Sequence, residues 1–332
     1  MSNSERTSTR TISVVTPTLR RPEEVSALLE NLSQQKVLPF EVILVDGTPA
    51  GENETEKIVQ AVGPTLPFPV RYTRHGGGTA IQRNVGIDQS RGDFIAFIDD
   101  DVRLKPDFFG VILSVFEEDA EQRIGGIAGY ITNEFLNPQT SPRWRWYRRL
   151  HLFGTYEPGR YDFKSGYPIN RYLCPPHEGL RRLDFMGAGC AVWSRRVFED
   201  GLRFSEFFKD YGVLEDAHLA LRASRNWTLL ECGRARCVHL RSQTGRIDKR
   251  RLARKTAINY RYVFVEIVPT RTLVQEMRFW SVQGFDLFRF FVRALRSRAR
   301  EDWLAVLGKI EGIVAAFRVH STLDDHLAEI RK

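Results

Sequence analysis

The sequence predicts an α/β protein with a mainly parallel, doubly wound sheet, followed by a basic helical tail. Three observations carry that prediction. Short apolar runs alternate with amphipathic stretches through the first hundred residues. One run, Phe94-Ile95-Ala96-Phe97-Ile98, ends in three consecutive aspartates, Asp99-Asp100-Asp101. From about Lys249 the pattern is helical to the end, with arginines set among aromatic residues.

Thr11 to Thr16 reads as a first strand ending in a turn at Pro17. Pro22 opens a helix with Val25, Leu28, Leu29 and Leu32 on one face. Glu41 to Val45 is a second strand closed by Asp46-Gly47, and Val70 to Thr73 a third. After Gly76-Gly77-Gly78, Thr79 is placed to cap a helix running to about Asp88. Phe94 to Ile98 is the fourth strand. Pro106 starts another helix, and Gly125 to Ile131 a further strand. Asn133 to Leu180 loses periodicity and is rich in Pro, Tyr, Trp and Arg, as functional or mobile segments are. Order returns at Leu183 to Trp193. A helix holding Glu215-Asp216 and two short strands, Trp227 to Leu230 and Arg236 to Leu240, complete this part.

The chain has 332 residues, 42% hydrophobic and 27% charged, which excludes a disordered or fibrous class. A net charge of +8 favours anionic partners, and its basic residues crowd into Arg143 to Arg149 and Arg246 to Arg300. Cys174, Cys190, Cys232 and Cys237 form no CxxC pair and lack zinc spacing, so a reducing compartment is expected, with Cys190 a buried thiol. Met1 to Arg10 is a polar leader without a signal-peptide core, and no apolar run is long enough to span a membrane. The catalytic part is therefore expected in the cytoplasm, and the basic tail is expected to hold it peripherally at the inner face of the cell membrane.

Carboxylates at the carboxyl end of a strand sit where open α/β sheets bind ligands. Crowded negative charges repel unless a cation compensates them, and oxygen ligands of this kind suit Mg²⁺ or Mn²⁺ beside substrate phosphates. A solvated acidic turn is the plain alternative, and the neighbouring motifs decide against it.

Six elements in order resemble the inverting family 2 glycosyltransferases with a GT-A fold. They are Val14-Val15-Thr16-Pro17-Thr18, Val45-Asp46-Gly47, Gln82-Arg83-Asn84-Val85-Gly86, Asp99 to Asp101, Glu215-Asp216 and His239. The resemblance covers residues 11–245, divided into a nucleotide-sugar half (11–131) and an acceptor half (132–245), with 246–332 as the basic amphipathic tail. It implies that Thr16, Pro17 and Thr18 line the nucleotide site and that Asp46 holds the base or ribose. Asp46-Gly47-Thr48 is shorter than the family's usual acidic pair. Arg83 and Asn84 match an arginine–asparagine step near the diphosphate. Asp99 and Asp101 match the DxD pattern, with Asp101 the main metal ligand, Asp99 near the ribose or metal shell, and Asp100 the variable middle position on the donor side. His239 either completes the metal shell or is a core histidine. Asp216 is implied as the base that takes the acceptor's proton, and Glu215 as its helper. Gly187-Ala188-Gly189 keeps bulk away from the substrates, and Asp184 lies just before it.

The expected activity is metal-dependent, inverting transfer of a sugar from a nucleotide-diphosphate donor to a saccharide or lipid-linked acceptor in glycan assembly, with Mn²⁺ or Mg²⁺ as cofactor. Arg271 to Arg300 reads either as a helix in an anionic membrane interface or as one packed on the catalytic domain or another subunit. An oligomer is compatible with the second reading. The aromatics near the arginines cluster as an apolar face rather than interleaving for base stacking, so nucleic acid is not an expected partner. A catalytically inactive membrane scaffold would leave the acidic motifs damaged, and a sugar-phosphate nucleotidyltransferase would leave Glu215-Asp216 without a role. Thr18-Leu19-Arg20-Arg21 echoes the latter class only faintly.

Overall fold

The computed structural model describes residues 10–242 and 247–319. Residues 1–9 of the polar leader, Gln243 after the His239 motif, Arg246 at the start of the tail and residues 320–332 lie outside the described residues. In chain order the elements are β1 (Ile12–Thr18), α1 (Pro22–Ser33), β2 (Glu41–Asp46), α2 (Glu54–Val62), β3 (Val70–Arg74), α3 (Thr79–Gln89), β4 (Phe94–Ile98), β5 (Val102–Leu104), α4 (Phe108–Glu118), β6 (Ile124–Ile131) and α5 (Pro142–Arg149). There follow β7 (Tyr161–Asp162), β8 (Tyr167–Pro168), β9 (Leu180–Leu183), β10 (Cys190–Ser194), α6 (Arg196–Glu199), α7 (Glu215–Ala223) and β11 (Thr228–His239). Three long helices close the fold: α8 (Lys249–Ile267), α9 (Leu273–Ser297) and α10 (Arg300–Ala316).

The main sheet runs β3-β2-β1-β4-β10-β6-β11-β5, with β9 added on β11. β3, β2, β1 and β4 are parallel, whereas β10 is antiparallel to both β4 and β6. The sheet is therefore mixed, with its parallel half formed by the first hundred residues. Strands buried on both faces are written as continuous apolar runs. Val14, Ala96 and Ile98 face one core with α1 and α4. Val15, Ile95 and Phe97 face the other, with Ala80 and Ile87 of α3 and Tyr262 and Val263 of α8. A third cluster joins Trp144 and Tyr147 of α5 to Tyr167, Ile169 and Val282 of α9.

Several local expectations need correction. Pro17 lies inside β1, opposite Val45, rather than in a turn. β1 pairs with β4 only as far as Val15, so the missing N–H of Pro17 falls on an unpaired edge. Gly78, at φ 86°, caps α3 in place of Thr79. The two strands expected after Trp227 are one, β11, whose register shifts between Cys232 and Arg236. Asn133 to Leu180 contains α5 and two short strands, β7 and β8, which are too brief to leave a periodic signal. The tail is helical as expected through Ala316, and α9 opens with a capping box between Thr272 and Gln275. No helix among the described residues is long and apolar enough to cross a membrane.

Candidate active site

β1 and β4 run in parallel and end side by side, which brings Thr18 and the aspartate triplet to one edge of the sheet. Asp100 points inward. It accepts hydrogen bonds from the Thr18 hydroxyl and from Arg21, each at 2.7 Å. Burial pushes its pKa up to about 6 against the pull of that arginine. Asp101 is placed by strand pairing, because β5 pairs antiparallel with β11 and sets Val102 opposite His239. The His239 Nε2 lies 3.2 Å from Asp101 Oδ1, and its Nδ1 lies 2.7 Å from Glu134. Asp101 Oδ2 accepts the Ser242 N–H at 3.0 Å. Burial pushes the Asp101 carboxyl up, but His239, Arg21 and that amide together hold it below the usual range. The two carboxylates raise the His239 imidazole to about 10.

Asp99 faces the other way. Its Oδ1 accepts from Arg83 at 2.9 Å, and a Cβ at Gly189 would stand 2.3 Å from its Oδ2. Arg83 is buried, and its second arm meets Glu215 at 3.1 Å; the Thr79 hydroxyl donates to the same carboxylate oxygen. Leu214, in the left-handed conformation, turns the chain into α7, so that Glu215 and Asp216 occupy its first turn. Asp216 accepts N–H groups from Ala217 at 2.7 Å and Ala188 at 3.3 Å. Burial, and then the neighbouring Glu215, raise its pKa to about 6.

Two cavities meet at this cluster. One, of about 310 Å³, is lined by Pro17, Thr18, Arg21, Gln82, Arg83, Asp99 to Asp101, Glu215 and the loop Asp210-Tyr211-Gly212. The other, of about 440 Å³, is lined by Asp216, Gly187, Gly189 and an aromatic wall including Trp144, Tyr167, Tyr172 and Tyr260. Asp99 and His239 line both. Each cavity thus holds one member of the Glu215-Asp216 pair.

Three predicted residues stand apart. The Asp46 carboxylate is buried and spent on the Thr48 backbone and hydroxyl and on the Tyr72 hydroxyl, so it shapes the loop after β2 rather than facing the cavity. Asn84 exchanges two hydrogen bonds with the Phe204 backbone, each 2.9 Å. Thr16 is fully buried in β1. Conversely, Arg21, Glu134 and the aromatic wall went unread in the sequence. Arg21 follows the first strand closely enough for suspicion, but Glu134 is tied to His239 only by the fold.

Asp101 and the His239 Nε2 offer oxygen and nitrogen donors of the kind divalent cations take, while Asp99 is turned to Arg83, so the three do not form a closed ligand cluster among the described residues. Glu134 on Nδ1 fixes the ring so that Nε2 faces Asp101, as outer-shell carboxylates do for metal-ligating histidines. A tighter cluster among the described residues, Cys174, His177 and Glu231, fits a cation poorly, because Arg171 and Arg181 already bind Glu231 at 2.9 and 2.7 Å.

The profile described as Glycosyl transferase family 2 matches residues 13–182, more than half of the chain. The chain belongs to glycosyl transferase family 2. Among curated relatives it is 36% identical over 107 residues to an uncharacterized glycosyltransferase of Haemophilus influenzae, covering 32% of this chain and 35% of that one. It is 29% identical over 163 residues to the succinoglycan biosynthesis protein ExoM of Rhizobium meliloti, covering 47% and 49%. The matches thus span between a third and a half of those relatives' length. The family 2 chain also resembles a mannosyltransferase, PcManGT from Pyrobaculum calidifontis, solved with GDP-Man and Mn²⁺. The TM-score there is 0.56 at 14% identity, covering 92% of this chain and 87% of that one. GalNAc-T7, solved with UDP, GalNAc and Mn²⁺, gives 0.54 at 15% identity over 78% and 50%. At such identities the likeness shows the fold, and that fold is GT-A.

Proposed function

We propose that this family 2 protein is a divalent-cation-dependent, inverting glycosyltransferase acting in glycan assembly. The donor is a nucleotide-diphosphate sugar and the acceptor a saccharide or a lipid-linked saccharide. The observation that carries this reading is the pair of cavities sharing Asp99 and His239, with Glu215 in one and Asp216 in the other. In it, the first cavity holds the donor and the second the acceptor. Asp216 takes the proton from the attacking hydroxyl, and its raised pKa suits a base working near neutrality. Arg83 orients Asp99 and Glu215, and Arg21 with Thr18 fixes Asp100. Asp101, Asp99 and His239 would hold the cation, which when bound supplies charge stabilisation for the departing nucleoside diphosphate. The Mn²⁺ and nucleotide sugars named with the similar structures, and the biosynthetic role in ExoM's name, support the reading. The outer faces of α9 and α10 expose Leu273, Met277, Leu307 and Val314, which supports attachment to an anionic membrane surface.

The test is thermal stabilisation by UDP, GDP and dTDP, each with Mn²⁺, with Mg²⁺ and with EDTA, on wild type and Asp101→Ala. One nucleotide should raise the melting temperature, only with metal and only in the wild type. No shift with any nucleotide would remove the transferase reading.

A further inference from the structure

α5 and α9 lie side by side, and between them runs a groove of about 1060 Å³. Trp146 and Leu150 supply one wall, Phe288 and Val292 the other. Trp146 is 50% exposed and Phe288 59%, so two large aromatic surfaces stand in water across one channel. The ionic lining has a single sign: Arg143, Arg289, Arg293 and Arg296 contribute to it, and no carboxylate does. From beneath, Asp286 binds Arg289 at 2.8 Å and stands 3.9 Å from Arg143, while Asp302 meets Arg293 at 3.3 Å. Two carboxylates therefore answer four guanidiniums. Lys309, buried below and donating to Gln283 at 2.6 Å, adds another cation. Its pKa falls to about 8, through burial first, with Asp286 opposing the fall and Arg143 and Arg289 adding to it. A cationic surplus of this kind, partly buried, is costly until an anion joins it.

Arg143 lines the groove and the acceptor cavity alike. Its guanidinium is held between the hydroxyls of Tyr147, at 2.9 Å, and Tyr167. The apolar channel and the cleft containing Asp216 thus adjoin at one cationic side chain, Arg143. A molecule matching these surfaces in order has a hydrocarbon chain, an anionic link and a polar head.

We propose that the α5–α9 groove binds the hydrocarbon chain of a lipid phosphate, whose phosphate sits at Arg143 and Arg289 and whose head group enters the cleft of Asp216. The acceptor is then lipid-linked through phosphate rather than a free saccharide. This assignment rests on the glycosyltransferase reading above. It concerns a single lipid molecule and is separate from attachment to a bilayer through the outer faces of α9 and α10.

The full chain is titrated with farnesyl phosphate below its critical micelle concentration, followed by calorimetry, with farnesol and inorganic phosphate run alongside. Farnesyl phosphate should bind, farnesol at least ~10-fold more weakly, and inorganic phosphate not measurably. Phe288→Asp and Arg289→Met should each weaken farnesyl phosphate by ~10-fold or more. Phe288 is exposed, so its replacement leaves the fold intact, and the nucleotide–Mn²⁺ melting shift reports that. Equal affinity in wild type and Phe288→Asp overturns the proposal, as does no binding by a wild type whose nucleotide shift is normal; either result leaves the transferase reading standing. A wild-type dimer that Phe288→Asp converts to monomer, without farnesyl phosphate binding, would give the groove to a second copy of the chain instead. Loss of the nucleotide shift in wild type removes both readings.

Discussion

Two carboxylates adjacent in sequence, Glu215 and Asp216, end up in different cavities, and this division makes Asp216 the residue to test. Asp216→Asn should lower kcat by two to four orders of magnitude, on the order typical for a general base, while nucleotide affinity stays within about twofold. In the wild type, kcat/KM should fall as pH drops through about 6, because the base is then protonated. Stability should move the opposite way. The folded pKa of Asp216 lies above that of an exposed aspartate, so the native state pays for the buried charge above pH 6 and is relieved as pH falls toward 4. Asp216→Asn should therefore melt higher than wild type at pH 8, with the gap closing by pH 4; a lower melting temperature at pH 8 would contradict the cause assigned here. The triplet was legible as chemistry in the sequence, since it sets three charges at a strand end, whereas Arg83 and the acidic pair were implied by the family resemblance. Glu134 was not, because its contact with His239 spans 105 residues and depends on β11 lying beside β6. One contact that occupies Asp46 was hidden for a related reason: its partner Tyr72 comes from β3, the strand next to β2.

At the level of elements, strands β2 and β4 were readable because each is buried on both faces and carries an unbroken apolar run, and β1 from its β-branched residues despite Ser13, Thr16 and Thr18. α1 was readable from its buried stripe of Val25, Leu28, Leu29 and Leu32. β5, β7 and β8 are two or three residues long and carry no periodicity of their own. β11 looked like two strands because Gly233-Arg234 interrupts its alternation where the register shifts. The short turn before β10 offers a test at this scale. Gly189 touches Asp99 so closely that any side chain must displace that carboxylate. Gly189→Ala should weaken metal-dependent nucleotide binding by ~10-fold or more, with a stability loss of no more than about 1–3 kcal/mol from local overpacking. Unchanged nucleotide affinity, read by the melting shift with Mn²⁺, would separate Asp99 from the donor site.

Across the whole molecule, the tail serves the catalytic part and solvent at once. α9 buries Phe279 and Val282 while leaving Leu273, Val274 and Met277 at 75, 55 and 53% exposed. One face of α9 therefore packs on the catalytic part, while the apolar residues on its other face remain exposed. Deleting the tail would uncover the cluster around Tyr147, so point changes are the cleaner test. Replacing Leu273, Val274 and Met277 together with serine should cut flotation with anionic liposomes severalfold at low salt, with little change in melting temperature. Equal flotation of the two proteins would exclude that face from membrane attachment.

Arg83 has a further consequence, since one guanidinium from α3 holds Asp99 of the β4 end and Glu215 of α7 together. Its charge also restrains the basicity of Asp216. On the proposed reading, an incoming diphosphate would compete for that charge and release the restraint. Donor arrival would then strengthen the base at the moment a sugar is present to be transferred. The acid limb of kcat should accordingly lie at higher pH than that of kcat/KM, a timing device made from a single side chain.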